Sequence, residues 1–408
     1  MRNRPVVAIT GVGVTSPYGN GLAALVKGLS DNVPALSPLS LFDSPLDYVP
    51  VVGQIRHPVE PAVPGGMPMS RTDRLAMMAA REATAGLQTH ANLRKRCAVV
   101  LASTVGGLSD LPPGMVADPA EHYRRAGLDV VSTYPVSHVS DSVAAALGLG
   151  GARVGVSVAC ASGAIAIALA AQMIRDGRAP VALAGGSDAL CTTTLAGFHA
   201  LQALDPLPCR PFCETRAGLN IGEAAAAVLL EDIEHARERG AEVLGVLSGW
   251  AFNNDAYHPT APDSEGRGLA SCITQALGTA GVALDRVGYV NAHGTGTPLN
   301  DVAELQAYER AFASRTRPIP VSSTKGHVGH TLGAAGAIEA VVALMAVRYG
   351  LVFPTMRLSR PLASTHVDLA RGEVRPGVVE TAISVSAGFG GSNACLVLEP
   401  PSSRGGCA

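Results

Sequence analysis

Aromatic residues are scarce in this chain of 408 residues: they make up 4% of it, and there is one tryptophan. No uninterrupted apolar run reaches the roughly 18 residues that a membrane-spanning helix needs. The N-terminal segment MRNRPVVAITGVG has neither a long apolar run nor a cleavage signal for secretion. We therefore expect a cytoplasmic protein without a membrane segment.

An excess of charge of one sign is also missing, because 31 Lys and Arg residues face 33 Asp and Glu residues. A chain with no basic excess lacks the electrostatic footprint of a nucleic-acid-binding protein, so no nucleic-acid partner is expected. An acidic partner would have to find a local basic patch. The glycines of GVGVTSPYGNG do not fit G-x-G-x-x-G, which argues against a phosphate-binding loop.

Metal-ligand spacing is absent as well, since the eight cysteines are scattered and only Cys209 and Cys213 lie close together. With no histidine nearby, that pair makes a poor half-site for zinc. Reduced thiols are the expectation for a cytosolic protein. We predict no metal.

What the chain does have is glycine, 46 residues of it, and short apolar runs such as CAVVLAS and VALAGG that alternate with helical patterns. This alternation predicts mainly parallel sheets covered by helices. Each half opens with a strand and later reaches a strand followed by a Gly/Ala-rich buried helix, at 154–176 and 320–347. The layout indicates a duplicated five-layer α/β core with units at 1–240 and 241–408.

One such junction, VSVACASGAIAIALAAQ at 156–172, holds a single thiol. We predict a buried strand over 154–158 and a buried helix over 164–173, which puts Cys160 at the N-terminus of the helix. The partial positive charge and unpaired amides there favour a thiolate and bind an oxyanion. The alternative is a cysteine of the core, where free cysteine is common.

Polar residues follow other apolar strands, in NAHGTGTPLND, SSTKGHVGHTLGAAGAIEA, NNDAYHPTAP and SAGFGGSNA. Ligands collect at strand ends in open α/β folds. A lone histidine in such a place is more often structural. Two of them, His293 and His330, each beside glycines and small hydroxyl residues, point to a site.

Taken together, these motifs resemble the β-ketoacyl-[acyl carrier protein] synthase family of the thiolase superfamily. The resemblance rests on Cys160 in ACASG, on HGTGTPxxDxxE from His293 to Glu304, on Lys325 and His330 in STKGHVGHTLGAAG, and on GFGGSNA. It extends over nearly the whole chain. His330 matches the elongating members, since the initiating type has asparagine there. The implied fold is a duplicated αβαβα core with two mixed sheets.

The resemblance implies a decarboxylative Claisen condensation. Cys160 would take an acyl chain from acyl carrier protein, with the backbone amides of Cys160 and Phe389 as the oxyanion hole. His293 and His330 would donate hydrogen bonds to the malonyl thioester, and the product would be a 3-oxoacyl chain two carbons longer. No cofactor is implied beyond the phosphopantetheine of the carrier protein.

Other residues receive supporting roles by the same resemblance. Lys325 pairs with Glu339, although a plain structural ion pair explains Glu339 equally well. Phe389 is the aromatic gate between the acyl pocket and the malonyl site. The remaining residues match positions that order water or carboxylate during decarboxylation (Asp255, His258, Thr260), contact pantetheine (Thr295, Thr297) or give structural support (Asp301, Glu304).

Departures from the family pattern leave the pathway open between fatty-acid and type II polyketide or polyene synthesis. Ala387 stands where fatty-acid members carry a second aromatic residue, and Cys213 and Ala217 replace aspartates. The rival functions are a non-elongating chain-length or decarboxylase subunit and a Cys-His hydrolase.

The implied partners are an acyl carrier protein and a second subunit. The second subunit gives either a homodimer or a heterodimer with a chain-length-factor paralogue. Carrier proteins are acidic, so a cationic rim near the site is expected. The candidates for it, which are equally explained as ordinary surface residues, are Arg71, Arg74, Arg124, Arg125 and Arg210.

Overall fold

The computed structural model describes residues 5–60, 66–111 and 119–401, with side chains left out at 119–123, 125 and 126. Its strands are β1 (Val7–Ser16), β2 (Gly19–Asn20), β3 (Ser37–Pro38), β4 (Val51–Val52), β5 (Ala98–Ala102), β6 (Arg153–Val156), β7 (Val181–Asp188), β8 (Ala224–Asp232), β9 (Gly245–Asn254), β10 (Val287–Asn291), β11 (Ile319–Ser322), β12 (Leu351–Val352), β13 (Val367–Leu369), β14 (Arg375–Pro376), β15 (Thr381–Gly388) and β16 (Ser392–Glu399).

The helices connect and cover these strands. They are α1 (Leu22–Ser30), α2 (Arg71–Ala83), α3 (Ala91–Arg94), α4 (Pro119–Ser132), α5 (His138–Leu147), α6 (Ser162–Arg175), α7 (Thr192–Ala200), α8 (Ile233–Glu238), α9 (Arg267–Ala280), α10 (Pro298–Ala311), α11 (Lys325–Val328) and α12 (Ala335–Tyr349).

Each half of the chain builds a five-stranded half-sheet, and the two half-sheets have the same topology. The strand order is β6-β5-β7-β8-β1 in the N-terminal half and β11-β10-β15-β16-β9 in the C-terminal half. In both, the first two pairings are parallel and the last two antiparallel. The mixed sheets that the resemblance implied are therefore confirmed, together with the duplication. The alternation predicted mainly parallel pairing. This prediction is wrong, because β8, β9 and β16 each run antiparallel to the strands beside them.

The half-sheets join where β1 pairs with β9, through Val7 with Leu247, Ala8 with Val246 and Ile9 with Gly245. This short pairing makes one continuous hydrogen-bonded path across the molecule. The predicted boundary between residues 240 and 241 falls in the connection from α8 to β9 and stays a prediction.

Helices α6 and α12 form the central layer between the half-sheets, and both contribute to one core cluster with strands of each half. The outer layers are α2 and α5 on the N-terminal sheet and α9 and α10 on the C-terminal sheet. A Cβ on Gly163 of α6 would lie 2.8 Å from the nitrogen of Ala337. A Cβ on Gly336 of α12 would lie 2.6 Å from the nitrogen of Ala164. The two glycines thus allow the central helices to touch backbone to backbone.

One helical stretch of the described residues, Leu332–Tyr349, is long and apolar enough to cross a membrane by length and composition. Within the fold, 89% of that window is buried. This is the burial of a core helix, which packs its apolar surface against both half-sheets.

The strand before Cys160 differs from its prediction. It is shorter than the predicted 154–158, and it lies at the edge of the sheet with Arg153 and Gly155 exposed. An edge strand has a neighbour on one side only, so it is not buried on both sides as the apolar run suggested. The helix prediction of 164–173 is confirmed within α6.

Candidate active site

Cys160 lies in a sharp turn between β6 and α6. Ala159, the residue before it, has a φ of 46°, a left-handed conformation that costs free energy in a residue with a side chain. The Ser162 hydroxyl accepts a hydrogen bond from the amide of Val158 at 2.7 Å and donates one to the carbonyl of Ala159 at 2.5 Å. These two bonds stabilise the turn, so that the thiol stands at the start of the central helix.

Burial is the main influence on the pKa of the Cys160 thiol. It raises the pKa of Cys160 to about 11, against the positive charge of Lys325 and a hydrogen bond from the backbone amide of Phe389. The expectation that the helix N-terminus lowers this pKa is wrong for the free protein, because Cys160 is 8% exposed and loses the water that would solvate a thiolate.

The structure brings His293 and His330 to this thiol. The Cys160 sulfur and one ring nitrogen of each histidine all lie within 4.8 Å of one another. The two imidazoles meet edge to face, with centroids 5.3 Å apart and an interplanar angle of 83°. His293 follows β10 directly and His330 follows α11, so both come from the C-terminal half.

Hydrogen bonds fix the tautomer of both histidines. Nδ1 of His293 lies 3.2 Å from the ammonium of Lys325. An ammonium group donates hydrogen bonds and cannot accept them, so this Nδ1 is the acceptor. Nδ1 of His330 accepts the amide of Leu332 at 3.1 Å. In each neutral ring the proton therefore sits on Nε2. Nε2 of His330 is buried and has no hydrogen-bond partner among the described residues.

Electrostatics keep both rings neutral. Burial, followed by the charge of Lys325, lowers the pKa of His330 well below its ordinary value. The same two causes, together with His330, lower the pKa of His293. At neutral pH the pair therefore offers N–H donors to the space in front of Cys160 without carrying a positive charge.

Lys325 and Glu339 form an ion pair beneath these rings, and each side chain is 2% exposed. The Lys325 ammonium also donates to the carbonyl of His293 at 2.5 Å. Burial raises the pKa of Glu339 to about 7, against the stabilising charge of Lys325. The pair puts a fixed cation below the histidines.

Glu304 and Asp301 hold the backbone of the HGTGT loop. Glu304 accepts the amides of His293 at 2.6 Å and Gly294 at 2.7 Å, and Asp301 accepts the amide of Gly296 at 3.0 Å. Burial raises the pKa of Glu304 to about 7, against hydrogen bonds from Tyr308 and Gly294. Both carboxyl groups lie on α10, where they accept hydrogen bonds from the backbone of the loop.

Cys160, His293 and His330 lie at one cavity of about 330 Å³, named here the Cys160 cavity. Thr295 and Thr297 also line it, with their hydroxyl oxygens 2.8 Å apart. The full lining is Cys160, Phe198, Leu201, Gln202, Ala203, Leu219, Asp255, Thr260, Pro262, His293, Thr295, Thr297, Pro298, Leu299, Asn300, His330, Ala387, Gly388, Phe389 and Asn393.

The DAYHPT segment reaches the cavity only in part. Asp255 and Thr260 line it, but His258 is exposed and is not among the lining residues. The His258 Nδ1 instead accepts the amides of Thr260 at 3.2 Å and Ala261 at 3.1 Å. In this structure His258 shapes the turn that carries Thr260.

Two further residues belong to the site although the sequence analysis did not select them. The ring of Phe198, on α7, stacks on that of Phe389 with centroids 5.8 Å apart and an angle of 21°. The amide of Asn393 donates to a carboxylate oxygen of Asp255 at 2.6 Å. Asn393 lies in the GFGGSNA motif, which offered a signal for it; nothing in the sequence around Phe198 did.

Three arginines proposed for a cationic rim have internal partners. Arg71 forms two hydrogen bonds to the fully buried Glu223, at 2.8 and 2.7 Å. Arg210 bonds Asp205 at 2.7 Å, and Arg74 lies 3.8 Å from the carboxylate of Asp110. These pairs reduce the charge available to a partner. Among the other candidates, Arg124 is exposed, and the side chain of Arg125 lies outside the described part of the chain.

Two family models match this chain. The Beta-ketoacyl synthase N-terminal domain matches residues 4–236, and the Beta-ketoacyl synthase C-terminal domain matches 244–359. The 3-oxoacyl-[acyl-carrier-protein] synthase 2 of Coxiella burnetii is 34% identical over 98% of this chain and 99% of its own length. The tetracenomycin polyketide synthase ketoacyl synthase alpha subunit of Streptomyces glaucescens is 34% identical over 97% of each chain.

Solved structures give the same result. The ishigamide ketosynthase/chain length factor superposes with a TM-score of 0.90 at 29% identity, over 98% of this chain and 100% of the other. A type II polyketide acyl carrier protein in complex with its ketosynthase, bound to the hexaketide, gives 0.87 at 28% over the same shares. With this fold, this cavity and these matches along nearly its whole length, the chain belongs to the β-ketoacyl synthase family.

Proposed function

We propose that this protein is an elongating 3-oxoacyl-[acyl carrier protein] synthase that condenses an acyl chain on Cys160 with malonyl carrier protein. The observation that carries the proposal is the convergence of one thiol and two Nε2–H donors in one cavity. The buried Nε2 of His330 has no partner among the described residues, so its proton is available to a substrate oxygen.

In the first half-reaction the Cys160 sulfur attacks the thioester carbonyl of an acyl carrier protein. The C–S bond to Cys160 forms, the C–S bond to the carrier arm breaks, and the thiol proton ends on the departing arm. The amides of Cys160 and Phe389 bind the developing oxyanion. A Cβ on Gly388 would lie 3.2 Å from the Cys160 amide nitrogen, so glycine leaves that donor uncovered.

In the second half-reaction the malonyl thioester carbonyl accepts hydrogen bonds from His293 and His330. Loss of CO₂ then leaves an enolate that is stabilised by two neutral donors. Its carbon attacks the acyl-Cys160 carbonyl and expels the thiolate, which takes up one proton from solvent and restores the thiol. The Lys325 ammonium favours the expelled thiolate and, through Nδ1, keeps the His293 ring in the Nε2–H form.

The same tautomers favour a metal-free site. A ring nitrogen that carries a proton has no lone pair for a cation, so His293 and His330 as arranged here cannot both bind a metal through Nε2. The absence of a metal stays a proposal, and elemental analysis of the purified protein tests it. One equivalent of zinc retained through chelation would overturn it.

A carrier protein is the partner that this cavity fits. Cys160 is nearly covered, so an acyl group has to arrive on a narrow flexible arm, and Thr295 and Thr297 provide hydroxyl groups for the polar amides of such an arm. A solved relative is described as a carrier protein in complex with its ketosynthase, and another as a ketosynthase/chain length factor. We propose a carrier protein and a paired subunit for this chain too.

The test uses the purified protein with radiolabelled acyl and malonyl carrier proteins. Elongation predicts label on Cys160 and then a 3-oxoacyl carrier product. Release of CO₂ without condensation would instead support the chain-length or decarboxylase subunit. Release of free acid without any malonyl requirement would support a hydrolase.

A further inference from the structure

The buried carboxylate of Asp188, at the end of β7, is not used by the mechanism above. It is fully buried, and no Lys, Arg or His within the described ranges forms an ion pair with it. Its two oxygens instead accept hydrogen bonds from neutral donors. They are the hydroxyls of Ser103 and Thr104, both at 2.6 Å, and the amides of Thr104 at 3.0 Å, Val105 at 2.9 Å and Gly333 at 2.7 Å.

Of these partners, Gly333 belongs to the other half of the molecule and follows His330 closely. Leu332, between them, has a φ of 54°, the left-handed conformation that a leucine avoids. Its amide in that conformation donates to Nδ1 of His330. Gly333 directly follows Leu332, and its amide is held by Asp188. This bond therefore also holds Leu332 in its unfavourable conformation.

The backbone of His330 is fixed separately. Its amide donates to the carbonyl of Asn220 at 2.7 Å, and its carbonyl accepts the amide of Gly222 at 2.9 Å. The ring itself has one described hydrogen bond, the one from Leu332. The orientation and tautomer of the ring therefore depend on the Leu332 amide more than on the backbone of His330.

We propose that Asp188 is a positioning residue that holds His330 in the Nε2–H tautomer through Gly333 and Leu332. The inference rests on the proposed function for its kinetic consequence, but its structural content does not. It links a carboxylate of the N-terminal half to a proton donor of the C-terminal half. Asp188 touches no substrate atom and acts only through the backbone.

The experiment measures the tautomer directly in the whole protein. Histidine labelled with ¹⁵N reports by NMR which ring nitrogen carries the proton, and His330→Ala identifies the His330 signal by its loss. The wild type should show a protonated Nε2. Asp188→Asn, with one acceptor oxygen fewer and no charge, should show a mixture of tautomers, whereas retention of a single Nε2–H form would overturn the proposal.

Kinetics add a second readout that a general loss of structure would not give. Asp188→Asn should slow malonyl decarboxylation by about 10–100-fold, the loss typical when the hydrogen-bond partner that orients a metal-binding histidine is removed. Acyl loading of Cys160 should not slow, because the Asp188 charge raises the pKa of that thiol. Equal losses in both half-reactions would contradict a positioning role.

A second variant approaches the same contact from the other side. Gly333→Ala would place a Cβ 2.7 Å from the carboxylate of Asp188 without removing its charge, so it should reproduce the tautomer mixture. The matched controls are Gly278→Ala, where a Cβ meets nothing within 4 Å, and Asp73→Asn, another fully buried aspartate whose partners include Ser70 and Ser142. Neither should change the His330 signal.

The outcomes for this inference and for the proposed function are distinguishable. If the wild type fails to decarboxylate malonyl carrier protein, the proposed function fails while the NMR result still decides the role of Asp188. If the wild type is active and Asp188→Asn keeps both the tautomer and the decarboxylation rate, the inference alone is wrong.

Discussion

In the N-terminal half, β6 leads into the central helix α6 through the short turn 157–161, whereas in the C-terminal half β11 reaches α12 through the longer segment 323–334. The short turn holds one ionisable side chain, the thiol of Cys160, two residues before α6. The longer segment contains α11 and so presents both Lys325 and His330. Equivalent positions in a duplicated fold thus carry the proposed nucleophile on one side, and the proposed hydrogen-bond donor His330 with the cation Lys325 on the other.

The ion pairs of the two halves differ in a related way. Arg71 and Glu223 join segments of the N-terminal half, and the Arg71 side chain is 21% exposed. Lys325 and Glu339 are almost completely buried and lie against His293. The first pair has structural contacts only, while the charge of Lys325 in the second pair also lowers the pKa of His293 and acts on that of Cys160. Variants in each half should separate these two roles.

The largest effect should come from the nucleophile. Cys160→Ala should reduce condensation by about 10⁶-fold, the scale seen when a covalent nucleophile is removed. Cys160→Gln should lose acyl loading too but still release CO₂ from malonyl carrier protein, because the amide fills the site as an acyl group would. Loading is followed by radiolabel on the protein, and decarboxylation by released CO₂. Acyl loading in either variant would place the nucleophile elsewhere.

Removal of the histidine donors of the C-terminal half should affect decarboxylation and spare acyl loading, the opposite of Cys160→Gln. His293→Ala and His330→Ala should each retain acylation of Cys160 and lose decarboxylation by roughly 10²–10³-fold, as for one oxyanion-hole donor. The same two assays measure both. If His330→Ala decarboxylates like the wild type, the Cys-His-His assignment is wrong.

The N-terminal ion pair should affect stability and not catalysis. Arg71→Met leaves the buried Glu223 without its cation, so the free energy of unfolding should fall by about 3–5 kcal/mol. Denaturant titration measures this loss. At a temperature where the variant stays folded, the KM for carrier protein should be unchanged. A raised KM would indicate that Arg71 contacts the carrier protein.

Alkylation of the thiols tests whether burial or access decides reactivity. Cys160 should be labelled first by iodoacetamide, since it is the cysteine among the described residues that lines the cavity. With a pKa of about 11, its rate should rise about tenfold per pH unit from pH 7 to 10, because the thiolate reacts.

Cys213 provides the contrast for that experiment. Hydrogen bonds from Thr215 and from the amide of Arg360 outweigh burial and lower its pKa to about 7, but the residue is fully buried. Peptide mapping after brief treatment should therefore find little label on Cys213. A labelling rate that levels off near pH 7, or label on Cys213 first, would contradict the assignment to Cys160.

The smallest effect should come from Ala387, which lines the cavity together with Phe389, the proposed gate. Ala387→Phe should reduce the use of stiff, unsaturated acyl donors a few-fold more than that of saturated donors, because a second ring narrows the space beside the gate. Competition between the two donors measures the ratio. An unchanged ratio would remove this argument for a polyene substrate.

Much of the site was predictable from sequence because its motifs are local. HGTGT, KGHVGH and GFGGSNA place polar residues shortly after apolar runs, and such ends of strands meet at one edge of a sheet. The helix after Cys160 followed from its Gly/Ala-rich apolar pattern. Phe198 had no comparable signal, because it meets Phe389 only through the packing of α7.

The pKa of Cys160 and the exposure of β6 were mispredicted for a common reason. A window of sequence shows which residues are apolar, but not how many neighbours surround them. Burial of the thiol outweighs the helix N-terminus, and the position of β6 at the sheet edge leaves an apolar run half exposed. Similarly, the arginine candidates were chosen by charge, while Arg71 and Arg210 turned out to be paired with buried carboxylates.

The sequence by itself determined the family, the duplicated α/β layout and the candidates for the reacting groups, because periodicity and motif chemistry are properties of contiguous residues. Only the tertiary structure decided the tautomers of His293 and His330, the protonation of Cys160 and the link from Asp188 to Gly333. The bonds from Lys325 to His293 and from Gly333 to Asp188, and the burial of Cys160, join residues far apart in the chain, and the bond from Leu332 to His330 needs a left-handed Leu332 that local sequence does not predict.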